Sequence, residues 1–479
     1  MISASKSVRE KLEQISKERI LILDGAMGSM IQSSIITSGQ TLKECHDLLC
    51  LTQPGLISGI HEAYLKAGAD IIETNSFNAT AVSLVDYGLA GSAYEISAAA
   101  SRLAKDAAES FSTPEKPRFV AGVMGPTAKS AGLCHDINNP AKRAISWDEL
   151  EAAYYDNARG LLDGGADLIL IETIFDTLNA KAAIFAVQRL AKERCIDVPL
   201  IVSVTVSNTG GRLLSGQTVE AFCVSVSHAK PLALGLNCSF GAEKLKQHIA
   251  AVSAVVPCLV SAHPNAGFPN HLGVYDESPE SMGGCIEEYL REGLVNIIGG
   301  CCGSTPEHIA VIAERTKNYS PRIPPELPKK HQLAGLEVLQ LEADKPFASK
   351  KENPDFIRLI KEGHYEDAVD IISEEAESGA AFIEICLEDV STDDMTGFLN
   401  TALMFPDIAR LPIMLSSSRW DLIEAGLKCL PGKSLVNLIG FEQDGAEFQR
   451  VALLAQAYGA AVLVEKNTTP FFDAASKPV

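Results

Sequence analysis

The chain of 479 residues sets 61 Asp and Glu against 41 Lys and Arg, for a net charge of −20, and is 46% hydrophobic and 21% charged. That length exceeds one ordinary core and predicts at least two domains of a soluble globular protein. The acidic balance, with no basic run interleaved with aromatics, excludes a nucleic-acid groove; no apolar run reaches the roughly 18 residues of a membrane span, and the first ten residues lack a signal peptide's apolar core, so the expected compartment is the cytoplasm.

Short apolar runs alternate with helix-length segments, the pattern of βα units with parallel strands. In chain order, strands are expected at residues 20–23, 70–74, 119–123, 168–172, 200–206, 233–237, 259–262 and 296–298, with helices such as 58–67 and 147–163 between them. A phrase recurs: Lys66-Ala-Gly-Ala-Asp-Ile-Ile-Glu-Thr74 is echoed by Gly164-Gly-Ala-Asp-Leu-Ile-Leu-Ile-Glu-Thr173, by Ser378-Gly-Ala-Ala-Phe-Ile-Glu384 and by Tyr458-Gly-Ala-Ala-Val-Leu-Val-Glu465. Its glycine is expected to close a helix in the left-handed conformation, and its apolar run to be a buried strand. Eight such units predict a (β/α)8 TIM barrel over residues 1–319. An open doubly wound sheet fits poorly, because no Gly-rich phosphate turn follows an early strand.

Residues 320–330 hold four prolines, so 320–334 is expected to be an extended linker. Residues 335–479 again read as βα units, with strands at 336–341, 382–387, 412–415, 435–439 and 461–465. Five strands do not close an eight-stranded barrel, so this second α/β domain is expected to be incomplete.

Twelve cysteines in a chain without an export signal point to reduced thiols and leave metal binding open. Cys195, Cys223, Cys258, Cys285, Cys386 and Cys429 read as structural thiols. Gly235-Leu-Asn-Cys-Ser239 and Asn296-Ile-Ile-Gly-Gly-Cys-Cys-Gly-Ser304 differ, because each sets cysteine just past a predicted strand, at the mouth where barrel active sites form. Cys238, Cys301 and Cys302 are therefore the candidate metal ligands. Three thiolates and one exchangeable position suit a catalytic zinc, whereas a structural site closes with four protein ligands. An electron-rich three-sulfur zinc favours alkylation of a fourth sulfur over activation of water.

With these residues in view, the chain resembles the homocysteine-binding barrel of cobalamin-dependent methionine synthase over about residues 18–316. The resemblance is carried by Leu21-Ile-Leu-Asp-Gly-Ala-Met-Gly-Ser-Met-Ile-Gln32, Gly68-Ala-Asp-Ile-Ile-Glu-Thr-Asn-Ser-Phe-Asn-Ala-Thr80, Asp167-Leu-Ile-Leu-Ile-Glu-Thr-Ile-Phe-Asp-Thr-Leu-Asn179, Pro264-Asn-Ala-Gly-Phe-Pro-Asn270 and the Gly-Gly-Cys-Cys-Gly segment. It implies that Asp24, with Glu172 after strand four, holds the homocysteine amino group. It also implies that backbone N–H groups of the turn at Gly25, Ala26 and Gly28 take the substrate carboxylate. Glu73, Asn75 and Asn265 stand at strand ends as pocket liners, or as residues that orient neighbouring loops. His263 is left outside the metal set.

The second domain resembles the start of the same family's folate-binding, pterin-binding barrel, through Phe356-Ile-Arg-Leu-Ile-Lys-Glu-Gly-His-Tyr365, Pro406-Asp-Ile-Ala-Arg-Leu-Pro-Ile-Met414 and Trp420-Asp-Leu-Ile-Glu-Ala-Gly-Leu-Lys-Cys429. The family's site pattern is replaced by Ala348-Ser-Lys-Lys-Glu-Asn-Pro354, Glu384-Ile-Cys386 and Ser416-Ser-Ser418, with Asn437 surviving alone. The expectation is a domain kept for packing or docking that does not bind folate. The whole reads as a zinc-dependent S-methyltransferase that converts homocysteine to methionine. The expected donor is a methylated corrinoid protein, with cobalamin supplied on a separate chain. Rival readings are betaine or S-methylmethionine as donor, a part of a folate-dependent methionine synthase, a non-catalytic zinc or homocysteine scaffold, or another small thiol or selenol as acceptor. A homo-oligomer through the C-terminal domain is a further expectation, since a five-stranded remnant must cover its edge and apolar face on the barrel, on a second copy or on a partner.

Overall fold

The computed structural model describes residues 6–38, 45–207, 210–269, 275–327, 331–341, 354–441 and 445–463. Eight parallel strands come in chain order: β1 (Leu21–Ile22), β2 (Ile71–Glu73), β3 (Phe119–Met124), β4 (Leu168–Ile174), β5 (Leu200–Val204), β6 (Ala233–Gly241), β7 (Leu259–Asn265) and β8 (Ile297–Ile298). Neighbours run β1-β8-β7-β6-β5-β4-β3-β2. A parallel bridge between Leu23 and Ile71, with the Asp70 amide 2.7 Å from the Ile22 carbonyl, joins the two ends into a barrel.

These strands are apolar throughout because both faces are buried. Leu21, Leu23, Ile71, Val123 and Leu170 fill the interior, together with Leu12 from the helix Val8–Glu18. Alternate residues such as Ile22, Ile72, Val120, Ile169 and Val202 face the helices. The repeated phrase acts as expected at its glycine: Gly68, Gly165, Gly379 and Gly459 all have positive φ, between 83° and 116°. Its aspartate has a second task. Asp70 accepts the Ile22 amide at 2.9 Å and Asp167 the Val120 amide at 2.9 Å, so each carboxylate caps a neighbouring strand. The helix expected at 147–163 is Trp147–Asp163, fixed at its start by a capping box between Ser146 and Glu149.

Several strand ends differ from expectation. β4 runs on past Glu172 and β6 past Cys238, so these two residues lie within strands instead of after them, while β7 extends to end on Asn265, the strand end expected for that residue. Bulges at Ile171/Ile174 and Asn237/Gly241 carry β4 and β6 beyond their regular pairing.

Beyond the barrel, Arg322 is buried against it, donating to the carbonyls of Ser253, Val256 and Cys258 at 2.7–2.8 Å. Residues 332–334 of the expected linker form β9 (Gln332–Ala334), paired antiparallel with β10 (Val338–Gln340). A separate parallel sheet follows, β11 (Ile383–Cys386), β12 (Ile413–Ser417), β13 (Leu435–Leu438) and β14 (Ala461–Leu463), in sequential order. The reading of 336–341 as the first of five βα strands is therefore corrected: that segment turns back on β9, and the parallel sheet has four strands among the described residues. Most of 348–354, and residues 464–465 of the last expected strand, lie outside the described residues.

The second unit packs on the barrel, one of the three covers expected for it. Tyr458 stacks on Phe185 at 4.8 Å and lies 5.5 Å from Trp147. The buried Lys181 ammonium donates to the carbonyls of Leu430 and Gly432 at 2.9 and 3.0 Å.

Candidate active site

The three candidate ligand cysteines converge at the mouth of the barrel. Their sulfurs all lie within 4.8 Å of one another, and those of Cys238 and Cys302 stand 3.9 Å apart. Sulfurs bound tetrahedrally at about 2.3 Å from one zinc are spaced by about 3.8 Å, so the cluster has the dimensions of a metal site.

Local backbone explains the convergence. Cys238 and Ser239 both sit in left-handed backbone, at φ 62° and 61°, and Thr173 on the adjacent strand is at φ 54°. Such conformations are rare for residues with a β-carbon, and rarer for β-branched threonine. They occur in the two bulges, which turn side chains toward the mouth that a regular strand would send elsewhere. On the other side, the Cys301 amide donates to the Pro264 carbonyl at 2.8 Å, and the Cys302 carbonyl accepts the Ala266 amide at 2.9 Å. Two glycines make this turn possible. A β-carbon on Gly300 would stand 2.4 Å from Ser304 Oγ, and Gly303, at φ +80°, would drive one to 2.2 Å from Tyr275 Cβ.

Hydrogen bonds to Cys238 from Cys301 and Cys302 hold its thiol down at about 3. Bonding to that thiolate pushes Cys301 well up and Cys302 up to about 11. The three sulfurs thus share hydrogen bonds that favour a thiolate within the cluster, and a metal would displace the protons that remain.

Asn237, one residue before the cysteine, connects this cluster to the floor below. Its amide nitrogen donates to Glu172 Oε2 at 3.1 Å and Thr173 Oγ1 at 2.7 Å, and lies 3.9 Å from Cys301 Sγ. Its oxygen accepts the Thr173 amide and the Ser203 hydroxyl. Ligand atoms of Glu73, Glu172 and His263 also lie within 4.8 Å of one another. Burial, then the Cys238 thiolate, push Glu172 up to about 8. Burial, with the neighbouring carboxylates, pushes Asp24 and Glu73 well above the usual range, and burial lowers His263 to about 3, leaving it neutral.

Asp24 accepts the Glu73 amide at 3.0 Å through one oxygen. Its other oxygen, both His263 ring nitrogens and Asn265 Oδ1 are buried without a hydrogen-bond partner. A pocket lined by acidic side chains, with buried polar atoms left unmatched, suits a ligand that brings donors and positive charge; an alkylammonium has three donors and no acceptor.

The turn at 25–28 enters the helix Met27–Ser38. The Ala26 amide, expected to face a carboxylate, is engaged by Ser304 Oγ at 3.1 Å, and Tyr64 clamps the Ala26 and Ser304 carbonyls at 3.2 and 3.1 Å. The amides of Met27 and Gly28 head the helix, where N–H groups lack intrahelical acceptors. Asn75, read as a pocket liner or as a residue that orients a neighbouring loop, donates to the His46 carbonyl at 2.8 Å, in keeping with the second of these.

Asn237, Ser239 and Tyr275 were not picked out from sequence. The first two lie inside the Gly-Leu-Asn-Cys-Ser phrase and were within reach; the phenol of Tyr275, which burial and Cys302 push upward, carries no local signal.

A family model described as homocysteine S-methyltransferase matches residues 21–316, and one described as pterin binding enzyme matches residues 353–477. Among solved structures, the metallated form of the homocysteine methyltransferase MmuM from Escherichia coli is 23% identical with a TM-score of 0.50, over 63% of this chain and 98% of its own. The oxidized form is 22% identical with a TM-score of 0.50, over 65% of this chain and 100% of its own. At that identity the likeness is one of fold.

Proposed function

The chain belongs to the homocysteine S-methyltransferase family, and from that premise we propose that Cys238, Cys301 and Cys302 hold a zinc ion and that the acidic floor beside them receives the amino end of homocysteine. The observation that carries this is the pairing of a three-sulfur cluster with unmatched buried polar atoms among acidic side chains, bridged by Asn237. When bound, zinc keeps the substrate sulfur as a nucleophilic thiolate at neutral pH.

The chain's own residues orient that sulfur. Asp24 and Glu172 take the ammonium, Glu73, His263 and Asn265 complete its surroundings, and the Met27 and Gly28 amides take the carboxylate. The sulfur lone pair forms the new S–CH3 bond, the bond from methyl to donor breaks, and its electron pair leaves with the donor. The thiol proton is lost to solvent on binding, so no separate general base is needed. The product is methionine.

For the donor we propose a methylated corrinoid carried on another protein. The loops after β3, β5 and β7, at the same end of the barrel, expose Ile137 at 86%, Leu214 at 60% and Phe268 at 47%, apolar side chains that a bulky donor could cover. With zinc-loaded enzyme and homocysteine, methylated corrinoid protein is expected to give methionine far faster than betaine or S-methylmethionine at equal concentration. Turnover with a small onium donor and none with any methylcorrinoid would reject this assignment.

A pterin, the group implied by the second match, does not fit. Glu384, Ser416 and Asn437 share the inner face of the parallel sheet, but Ser416 Oγ already donates to Glu384 Oε1 at 2.6 Å. Below them Leu333 of the hairpin packs on Phe382, Met414 and Leu435, filling the space with apolar side chains. A pterin there would leave its polar edge unmatched, at about 1–3 kcal/mol per group. Calorimetric titration with methyltetrahydrofolate is expected to show binding no tighter than about 1 mM; micromolar affinity would overturn this reading.

A further inference from the structure

We propose that the β9–β10 hairpin of the second unit steadies the metal site through the segment after β5, with Ser239 as the positioning residue that aims Cys238. The inference rests on the zinc reading above. Two consecutive left-handed residues carrying β-carbons do not hold themselves in place, so neighbouring contacts must over-determine them. Those contacts converge on Ser239. Its hydroxyl donates to the Val206 carbonyl at 2.5 Å and meets the Thr205 hydroxyl.

Thr205 and Val206 are held in turn. The Thr205 amide donates to the Ile174 carbonyl at 2.8 Å, and Ser207 reaches the Arg212 carbonyl through its amide at 2.8 Å and its hydroxyl at 2.9 Å. Arg212 and Thr218 form an antiparallel bridge, and here the hairpin takes over. Its turn, Gly335 to Glu337, makes three contacts: Gln217 Nε2 donates to the Gly335 carbonyl at 2.8 Å, the Thr218 amide to the Leu336 carbonyl at 3.0 Å, and the Arg212 guanidinium pairs with Glu337 at 2.8 Å. Gln217 is buried, with its oxygen accepting from Thr177 at 2.5 Å.

A run of hydrogen bonds linked through short pieces of chain therefore joins the hairpin turn to the residue beside a metal ligand. Without it, Cys238 and Ser239 relax toward extended backbone and the Cys238 sulfur swings away from Cys302. This gives the second unit a task that requires no ligand of its own.

The test uses the full-length protein loaded with cobalt(II), whose sulfur-to-metal charge-transfer band reports the number of thiolate ligands, with release timed against a chromophoric chelator. Ser239→Ala is expected to weaken the band and speed release by about 10- to 100-fold, the usual scale for outer-sphere support of a metal ligand. Gln217→Ala and Arg212→Ala should each shift both readouts the same way by less. The double variant Ser239→Ala/Gln217→Ala should be no worse than Ser239→Ala, since both act on one path. An unaltered band and release rate in Ser239→Ala, or additive losses in the double variant, would overturn the inference. A parent protein that shows no cobalt–thiolate band would instead reject the zinc reading, and this proposal with it.

Discussion

Cys301→Ala is expected to empty the metal site and to lower kcat/KM by at least about 10^3-fold, because the metal's several kcal/mol of activation go with it. The remaining pair, Cys238 and Cys302, stands 3.9 Å apart and offers two sulfurs where a catalytic zinc takes three protein ligands. Asn237 also loses the sulfur 3.9 Å from its amide nitrogen. The fold should survive. The core clusters of the barrel are built from apolar residues, and Cys301 belongs to none of them. Metal analysis and thermal melting on the same sample separate the two effects; stoichiometric zinc with full activity in Cys301→Ala would remove the site. The protonation pattern adds a sign. Mutual hydrogen bonding holds Cys301 and Cys302 above the ordinary thiol range in the free cluster, so zinc uptake near pH 7 should release protons and tighten as pH rises.

Much of the barrel was legible because its signals are local. A strand buried on both faces reads as an unbroken apolar run, and a glycine after a helix marks the left-handed stop, as at Gly68, Gly165, Gly379 and Gly459. Adjacent cysteines between glycines at a strand end were equally plain. The misread features depend on partners distant in sequence. Apolar residues at 336–341 suit a parallel strand or a hairpin arm alike, and only pairing with Gln332–Ala334 decides between them. The left-handed backbone of Thr173, Cys238 and Ser239 runs against the preference of each residue. It is imposed by Asn237, Val206 and the adjoining bulges, so the ends of β4 and β6 were drawn too early. The Ala26 amide, implied by the resemblance to meet a substrate carboxylate, lies 3.1 Å from Ser304 Oγ, a partner far along the chain that no local signal announces.

Glu172→Gln is expected to raise the KM for homocysteine by about 10- to 100-fold, the loss of one charge-assisted hydrogen bond of about 1.5–3 kcal/mol, with metal content unchanged. The floor holds three buried carboxyls, of Asp24, Glu73 and Glu172, and the side chains found to share it bring no positive charge, since His263 is kept neutral. An arriving ammonium supplies that charge. The same arrangement should cost the free protein stability. Burial and the Cys238 thiolate raise Glu172 to about 8 from an ordinary 4.5. Between those values the folded chain retains a proton that the unfolded chain has released. Stability from this group is therefore greatest below about pH 4.5 and declines as pH rises toward 8. Glutamine is neutral throughout, keeps the shape and can still meet Asn237, so the variant should lose that part of the decline. At pH 8 it should melt higher than the parent without substrate, and the advantage should vanish near pH 5. Homocysteine should then stabilise the parent much more than the variant, since only a carboxylate rewards the ammonium with charge. Equal KM values, or parallel melting curves from pH 5 to 8, would place the amino group elsewhere in the mouth of the barrel.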